Sequence, residues 1–487
     1  MDQQTQLLVI MLLYMSGLVL WGIYQGRKVK SAYDYAIAGR RLPGWVAALS
    51  ERATGESSWA LLGLPGAAYA MGLTEIWTAL GCVAGIITAW WLISWRLRDA
   101  AEQHGITTFS AFIAAKHGET ANTIRSVSAI AIVFFFFFYV GAQFLGGGKT
   151  LFTMFGLPPA TGMLITAAVI VPYTIYGGFR SVVYTDVIQA LIMITALIAG
   201  PIVGIMYLAD NETVYATGIA MALEKAGPGY TSLTGGASGF TAGIVIAGGF
   251  SWFFGYLGGQ PQLSTRFMAI SDARQAKKAR YIGIVWTLIA YIGAMMIGWI
   301  GLAIFGPEGL KDQEFVMPSV MLRIFPPFIA SILITGAIAA MISTADSLLV
   351  LSSTEFTENL LKPLLSKFRK EELNLLSLSR ITTAILAMVA LLLAYNIQST
   401  LIFTMVSYVW AGIGGTFSVV ILFTLFWPRY HGRAVVATIL AGLGFTIFWI
   451  SSGLDAVITA RLVNFLFAIA VAVAATWLIP RADNKKH

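Results

Sequence analysis

Residues 44–70 read GWVAALSERATGESSWALLGLPGAAYA. The run is long and apolar enough to cross a bilayer, which takes about 20 residues. It is nevertheless wrong for a simple membrane helix. It holds Glu51, Arg52 and Glu56, and Gly55, Gly63, Pro65 and Gly66 punctuate it. In lipid, backbone groups freed by such residues must be satisfied inside the protein or by a ligand. A second run, 239–258, shares the trait. Gly243, Gly248, Gly249, Ser251 and Gly255 interrupt it, and Gly258-Gly259-Gln260-Pro261 ends it. Interrupted segments in corresponding positions of two halves point to a transporter binding site. Ordinary glycine-mediated helix packing is the simpler reading of the same residues.

Working outward, thirteen apolar runs of spanning length can be read. They lie at about 6–25, 44–70, 74–95, 126–146, 159–177, 182–208, 239–258, 281–305, 328–355, 379–396, 400–427, 434–452 and 459–480. The interrupted pair is the second and the seventh, five helices apart. That spacing allows two inverted five-helix repeats, 44–208 and 239–427. One extra helix, 6–25, would precede them and two more, 434–480, would follow. The whole of 1–487 then reads as a single all-α transmembrane domain.

The composition agrees. Of 487 residues, 57% are hydrophobic and only 11% charged, against about 25% charged in soluble domains. One soluble core could not hide so much apolar surface. A lone cysteine, Cys82, excludes a disulfide scaffold. The net charge of +8 tells of no anionic partner once the basic residues are placed. With the N-terminus outside, nearly all of the 31 Lys and Arg fall in inner segments. Examples are Arg27, Lys28 and Lys30; Arg266, Arg274, Lys277, Lys278 and Arg280; Lys362, Lys367, Arg369 and Lys370; and Arg481, Lys485 and Lys486. The exceptions are Lys149, Lys225, Lys311, Arg323 and Arg461 outside, and Arg52 within a span. The positive-inside rule then predicts a multi-pass plasma (inner) membrane protein, N-terminus outside and C-terminus cytoplasmic. The lipid bilayer is its surroundings, nucleic acid is no partner, and no obligate protein partner is called for.

Few polar groups remain inside the spans, and each invites a role. Asp186 opens the sixth span, and Asp346 sits in Ser343-Thr344-Ala345-Asp346-Ser347 of the ninth. Sodium prefers hard oxygen ligands. Ser343 and Thr344 beside the carbonyls of a broken helix would suit it, as would Asp186 with Asp346 and Ser347. Equally, these groups could satisfy only one another between helices. Arg52 and Glu56 are four apart and could pair on one helical face. Alternatively, Glu56 binds a cation or a proton, or Arg52 holds a substrate carboxylate. Trp252 and Tyr256 flank the second interruption, where they could line a small-substrate pocket or stack on a cation.

Enzyme signals are poor, and no enzyme is predicted. His104, His117, His431 and His487 fall in loops or at the terminus, and no His- or Cys-rich metal set exists. Gly146-Gly147-Gly148-Lys149-Thr150 fails as a phosphate loop, because Gln143 stands where the motif needs glycine.

Several motifs together resemble the solute:sodium symporter family. They are Ser57-Ser58-Trp59-Ala60-Leu61-Leu62-Gly63-Leu64-Pro65-Gly66-Ala67, Tyr176-Gly177-Gly178-Phe179, Thr185-Asp186, Gly259-Gln260-Pro261 with Arg266-Phe267-Met268-Ala269, and Ala340-Met341-Ile342-Ser343-Thr344. The likeness covers nearly the whole chain and lies nearest the family's bacterial proline-carrying branch. It implies the leucine-transporter-type five-plus-five inverted repeat and alternating access. It implies a sodium site formed by the Ala53, Glu56 and Ala340 carbonyls with the Ser343 and Thr344 hydroxyls. A further sodium site would map to Asp186, Asp346 and Ser347. The substrate region would map to Ser57, Trp59, Tyr139, Trp252, Tyr256 and Pro261.

This chain also departs from the pattern. The proline carriers have an aspartate where Gly55 stands, and small residues where Glu51 and Arg52 stand. Those two residues and Glu56 are therefore candidates for coupling. The expectation is sodium-driven symport of a small solute, proline or a related amino acid or osmolyte, with no cofactor besides the coupling ion. The alternatives are a carrier of the same fold that is proton-linked, Glu56 replacing the usual aspartate, or that takes another substrate. A transporter-like sensor or a channel is the remaining reading.

Overall fold

In a computed structural model, which describes residues 3–367, 374–397 and 400–481, the chain is helical from end to end. Among the described residues the sole β feature is an isolated bridge between Leu42 and Ile270. Arg369, Lys370, Lys485 and Lys486, used above for orientation, lie outside the described residues.

Among the described residues, ten helical stretches are long and apolar enough to cross a membrane, where the sequence predicts thirteen runs. The difference has a plain origin. Gly44–Gln103 runs on for 60 residues and Pro159–Ala209 for 51, while Gly239–Gly255 is shorter than the rest. At 1.5 Å per residue, about 20 residues already span the hydrocarbon.

The helices that build the site are α1 (Gln3–Gly26), α2 (Gly44–Ser58), α3 (Ile76–Thr88), α4 (Ala121–Phe155), α5 (Pro159–Ala209), α6 (Gly239–Phe250), α7 (Pro261–Ala269), α8 (Ala273–Phe305), α9 (Pro327–Phe356), α10 (Leu375–Asn396), α11 (Ile402–Val409), α12 (Gly432–Ser451) and α13 (Ala460–Leu478). The first interruption falls at Ser57, whose φ of 50° and ψ of −164° leave the helical region. A π-turn at Trp59–Gly63 follows before the chain resumes as Leu64–Met71. Pro65 lies in the first turn of that resumed helix, where its missing N–H costs nothing. The breaking residue is thus Ser57, between the glycines that signalled a break. The second interruption comes after the single turn Trp252–Gly255, and helix restarts only at Pro261. A third lies within α5 at Gly178, with φ 57° and ψ −163°. A Cβ there would strike the Tyr35 ring, so the position needs glycine for both conformation and space.

The polarity of the molecule is inverted relative to a soluble protein. Leu13, Leu20, Ile202, Ile292, Leu392 and Phe448 are exposed, whereas Glu51, Arg52, Glu56, Asp186, Arg266 and Asp346 are buried. Lipid as solvent demands this arrangement. The most interior helix is α9, buried without interruption from Leu333 through Glu355. It packs against α1, α2, α4, α5 and α10. Its run Ser343–Ser347 therefore sits among them and not at a surface.

Candidate functional site

Four helices meet on the carboxylate of Asp186. Its Oδ2 accepts from Ser50 Oγ of α2 at 2.5 Å and from Arg266 Nη2 of α7 at 2.9 Å. Its Oδ1 accepts from Ser343 Oγ of α9 at 2.6 Å. Arg266 also donates to Ser50 Oγ at 2.7 Å, to Ser347 Oγ at 2.5 Å and to the Gln262 carbonyl at 2.8 Å. A buried ion pair is tolerable only when its remaining hydrogen bonds are made, as these are. This corrects one expectation. Arg266 is counted above among basic residues of an inner loop, yet it is buried and ion-paired. Its partner lies 80 positions away in sequence, so no local pattern shows the pairing.

The first predicted sodium set falls beside this hub. Thr344 Oγ1 donates to the Thr54 carbonyl at 2.9 Å, and Thr54 Oγ1 is 3.1 Å from Ser347 Oγ. Ser343 and Thr344 thus lie against the last turn of α2 before its break, the turn that holds Ala53 and Glu56. Ala340 is one turn earlier in α9, and it is buried like them. Just before a helix break, carbonyls lose the N–H groups four residues on and become available as ligands. The second predicted set is joined less directly. Asp186 and Ser347 both accept from Arg266. Asp346 instead accepts from the Tyr173 hydroxyl, with Ser347 Oγ at 3.4 Å from its other oxygen. A guanidinium, not a free oxygen cage, occupies the space between Asp186 and Ser347.

Glu51, Arg52 and Glu56 form one buried cluster. Arg52 Nε donates to Glu51 Oε2 at 2.6 Å, Nη2 pairs with Glu51 Oε1, and Nη1 reaches Glu56 Oε1 at 2.8 Å. Trp90 Nε1 donates to Glu51 Oε2 at 2.9 Å, and Thr287 Oγ1 is 3.3 Å from Arg52 Nη1. Glu56 Oε2 has no partner among the described residues. One cation therefore faces two carboxylates, and one oxygen is left over.

Next to the two interruptions lies a cluster of rings. Trp59 stacks on Trp252 with centroids 4.0 Å apart and planes 18° apart. Phe403 lies 5.2 Å from Trp59 and 5.6 Å from Trp252. Trp410 approaches Trp252 and Tyr139 at 5.8 Å each and Tyr256 at 5.2 Å. The Tyr139 hydroxyl donates to Ser57 Oγ at 3.3 Å, and the Tyr256 and Tyr291 hydroxyls are 3.1 Å apart. Five of the predicted substrate residues, Ser57, Trp59, Tyr139, Trp252 and Tyr256, are thus brought together. Pro261 opens α7 on the far side of the second interruption.

Sequence reasoning missed Trp410, Phe403 and Tyr291. A signal for Trp410 was present: Trp410-Ala411-Gly412-Ile413-Gly414-Gly415 is punctuated like the other breaks and forms a π-turn. Gly414 lets that turn touch the backbone of Gly255.

The rings carry unused polar groups. The Nε1 atoms of Trp59, Trp252 and Trp410, with Ser58 Oγ and Gln260 Nε2, are buried without a hydrogen-bond partner among the described residues. Native interiors leave few such groups. Here they gather around two broken helices, and most can only donate. The arrangement suits a ligand with an apolar body and an anionic or carbonyl acceptor.

A clasp closes the end of the bundle where loops 209–238 and 306–327 gather. Glu314 accepts from the Ile402 and Phe403 N–H groups at 3.1 and 3.0 Å, capping the N-terminus of α11. Lys149 Nζ reaches Glu314 at 2.5 Å and Asp312 at 2.8 Å. Burial raises the Glu314 carboxyl above the ordinary range, against the lowering pull of Lys149 and those two N–H groups. Because Phe403 lies over Trp59 and Trp252, the clasp ties loop 306–327 to the ring cluster. Glu314→Gln keeps the shape and removes the charge. Charged hydrogen bonds contribute about 1.5–3 kcal/mol. The hold of loop 306–327 on α11 should weaken about tenfold, read as faster hydrogen exchange at the Ile402 and Phe403 amides. Unaltered exchange would mean that the charge does not hold the clasp.

The profile of the "Sodium:solute symporter family" matches residues 35–442. The high-affinity proline transporter PutP of Bacillus subtilis is 33% identical over 441 residues, covering 90% of this chain and 91% of that protein. The osmoregulated proline transporter OpuE of the same organism is 32% identical, covering 92% and 89%. The sodium/proline symporter of Escherichia coli is 32% identical, covering 91% and 88%. Among solved structures, a Na+-coupled sialic acid symporter in a substrate-bound outward-open state superposes with a TM-score of 0.78 at 17% identity, covering 99% of this chain and all of that one. At that identity the likeness speaks for the fold alone.

Proposed function

The chain belongs to the sodium:solute symporter family, and from that premise we propose sodium-coupled symport of proline or a close relative by alternating access. It is a membrane transporter and not an enzyme. Sodium is the coupling ion, and the bilayer in question is the plasma membrane. The observation that carries the substrate reading is the ring cluster with its unused donors. Stacked indoles offer an apolar wall to a pyrrolidine ring. The idle N–H groups offer bonds to its carboxylate. Relatives that share about a third of their residues with this chain are named as proline transporters.

In this reading thirteen crossings come from dividing the 60-residue stretch at Gly72, with φ 61° and ψ −129°, and the 51-residue stretch at Gly178, and adding Gly239–Gly255. The two repeats run 44–208 and 239–427 and are inverted relative to each other, and 6–25 and 434–480 stand outside them. The N-terminus and the loops 209–238 and 306–327 face outward, and the C-terminus is cytoplasmic. Sodium binds where the Ala53, Glu56 and Ala340 carbonyls face the Ser343 and Thr344 hydroxyls. The Thr344 bond to the Thr54 carbonyl supports this, since that hydroxyl already reaches the broken turn. Sodium rigidifies the break, the substrate then binds more tightly, and the coupling is reciprocal. On the inner side the Asp186–Arg266 pair, with Asp346 and Ser347, must part before the inner path opens.

Uptake of labelled proline into proteoliposomes under imposed sodium or proton gradients tests the proposal. Accumulation against a gradient only with sodium is expected. Downhill flux without accumulation would mean a channel, and a proton requirement would mean the other coupling. Replacing Ser343 and Thr344 together by Ala should raise the half-saturating sodium concentration at least about tenfold, two charge-assisted contacts being lost. Unchanged sodium dependence would place the ion elsewhere.

A further inference from the structure

A small polar cavity adjoins the Asp186–Arg266 hub. Its walls include Phe179, Thr265, Thr354 and Glu355, with Thr107 and Thr108. Thr265 precedes Arg266 in α7, and Arg266 Cζ lies 5.5 Å from the centroid of the Phe179 ring. Thr354 and Glu355 follow Ser347 in α9 by seven and eight residues, about 10–12 Å along the axis. The cavity holds about 10 Å³, room for one water-sized species. Thr107 and Thr108 also line a larger cavity of about 380 Å³, whose other walls include Arg125 and Lys362. Glu355 is buried and, among the described residues, takes part in no ion pair. Its Oε1 accepts from the Ser110 N–H at 3.2 Å and its Oε2 from Asn359 Nδ2 at 2.8 Å. A carboxylate offers about four lone pairs, so acceptor capacity remains. The Thr265 and Thr354 hydroxyls donate to the Pro261 and Val350 carbonyls of their own helices at 2.7 and 2.8 Å. With their protons spent, they too offer only lone pairs. A buried negative charge thus faces a space walled by acceptors. A water there would leave the charge uncompensated, which is costly in the interior.

We propose that this cavity is a release station for sodium, where an ion leaving the hub is held by Glu355 with the Thr265 and Thr354 hydroxyls before it enters the larger cavity. Hard oxygen ligands suit sodium, and the space admits a bare small cation but not a hydrated one. A single carboxylate among hydroxyls binds such an ion firmly enough to admit it and weakly enough to let it go, as conduction requires. The Glu355 bond to the Ser110 N–H also ties α9 to the first turn of the short helix Phe109–Ala115. The residue therefore has a structural duty besides the one proposed. The assignment rests on the sodium symport reading above, and its test separates the two.

Cys82 is buried, so its labelling by a fluorogenic maleimide reports unfolding of the purified full-length protein. At a fixed temperature near the unfolding midpoint, sodium chloride is raised while choline chloride keeps the ionic strength constant. Each ion bound only by the folded protein lowers the unfolding constant by up to about tenfold per tenfold rise in sodium. The limiting slope of the logarithmic plot therefore counts bound ions. It should be lower by about one in Glu355→Gln than in the wild type. Gln still accepts from the Ser110 N–H, so that tie survives. Thr354→Val leaves the tie untouched and should raise the sodium concentration that gives the full slope about tenfold. It decides the matter if Glu355→Gln fails to fold. Ser343→Ala with Thr344→Ala should weaken the sodium effect independently, and adding Glu355→Gln should weaken it further. An unchanged slope in Glu355→Gln, an unshifted curve in Thr354→Val, or no further weakening in the combined variant overturns the proposal. Proline uptake that still requires sodium then leaves the symport reading standing. Sodium that neither protects Cys82 nor drives uptake overturns both.

Discussion

Asp186→Asn is expected to cut sodium-driven uptake by at least about a hundredfold. Asn can still accept from Ser50 or Arg266, so the shape of the hub survives. What is lost is the charge that balances a buried guanidinium. Breaking a buried pair from one side costs about 3–5 kcal/mol, because the other ion is left uncompensated. At about 1.4 kcal/mol per factor of ten, that is roughly a hundred- to thousandfold in any step that needs the hub intact. Loss of activity alone could also reflect loss of the fold. The double variant Asp186→Asn with Arg266→Gln separates the two. It removes both charges and relieves the uncompensated ion, so thermal stability in detergent should return toward wild type. If Asp186 serves the transport cycle, through sodium or through the inner gate, uptake stays lost in the double variant. If Asp186 only neutralises Arg266, sodium-dependent uptake recovers with stability, and the hub is structural.

The same hub shows where sequence reasoning stops. Hydropathy and glycine punctuation made the all-helical membrane fold legible, because lipid imposes spans of fixed length and forbids unpaired backbone. The punctuation also located both interruptions to within a few residues. It could not single out Ser57 as the breaking residue, because a positive φ at serine is set by what packs around it. Asp186 and Asp346 stood out as carboxylates in apolar runs. Arg266 did not, because a basic residue just past an apolar run looks the same whether it faces water or a buried acid. Phe403 and Tyr291 were illegible for a related reason. An aromatic residue in a membrane helix gives no sign of whether it faces lipid or a ligand. Trp410 was legible in principle, since the glycines after it repeat the mark of the other breaks.

Arg52→Ala should be the most damaging single change in the chain. It would strand Glu51 and Glu56 side by side in the interior, with only Trp90 donating to the first and one oxygen of the second already unpartnered. Two unpaired buried carboxylates exceed the roughly 3–5 kcal/mol of a single broken pair. That approaches the whole stability of an ordinary domain, about 5–15 kcal/mol. The protein should fail to accumulate as a monodisperse species, which size-exclusion chromatography after extraction reports directly. The informative partner is the triple variant Glu51→Gln, Arg52→Met, Glu56→Gln. It preserves volume and removes every charge, and such replacements of buried ion clusters are often neutral or stabilising. Recovered folding is expected in either case, so the transport readout decides. A triple variant that folds and still couples proline to sodium makes the cluster a structural brace. One that folds and binds proline but no longer accumulates it assigns the coupling charge to this cluster, in which Glu56 has the spare oxygen that a brace does not need. The second outcome is the one expected here. A cluster kept only for neutrality would have matched its cation with one acid, and this one carries two.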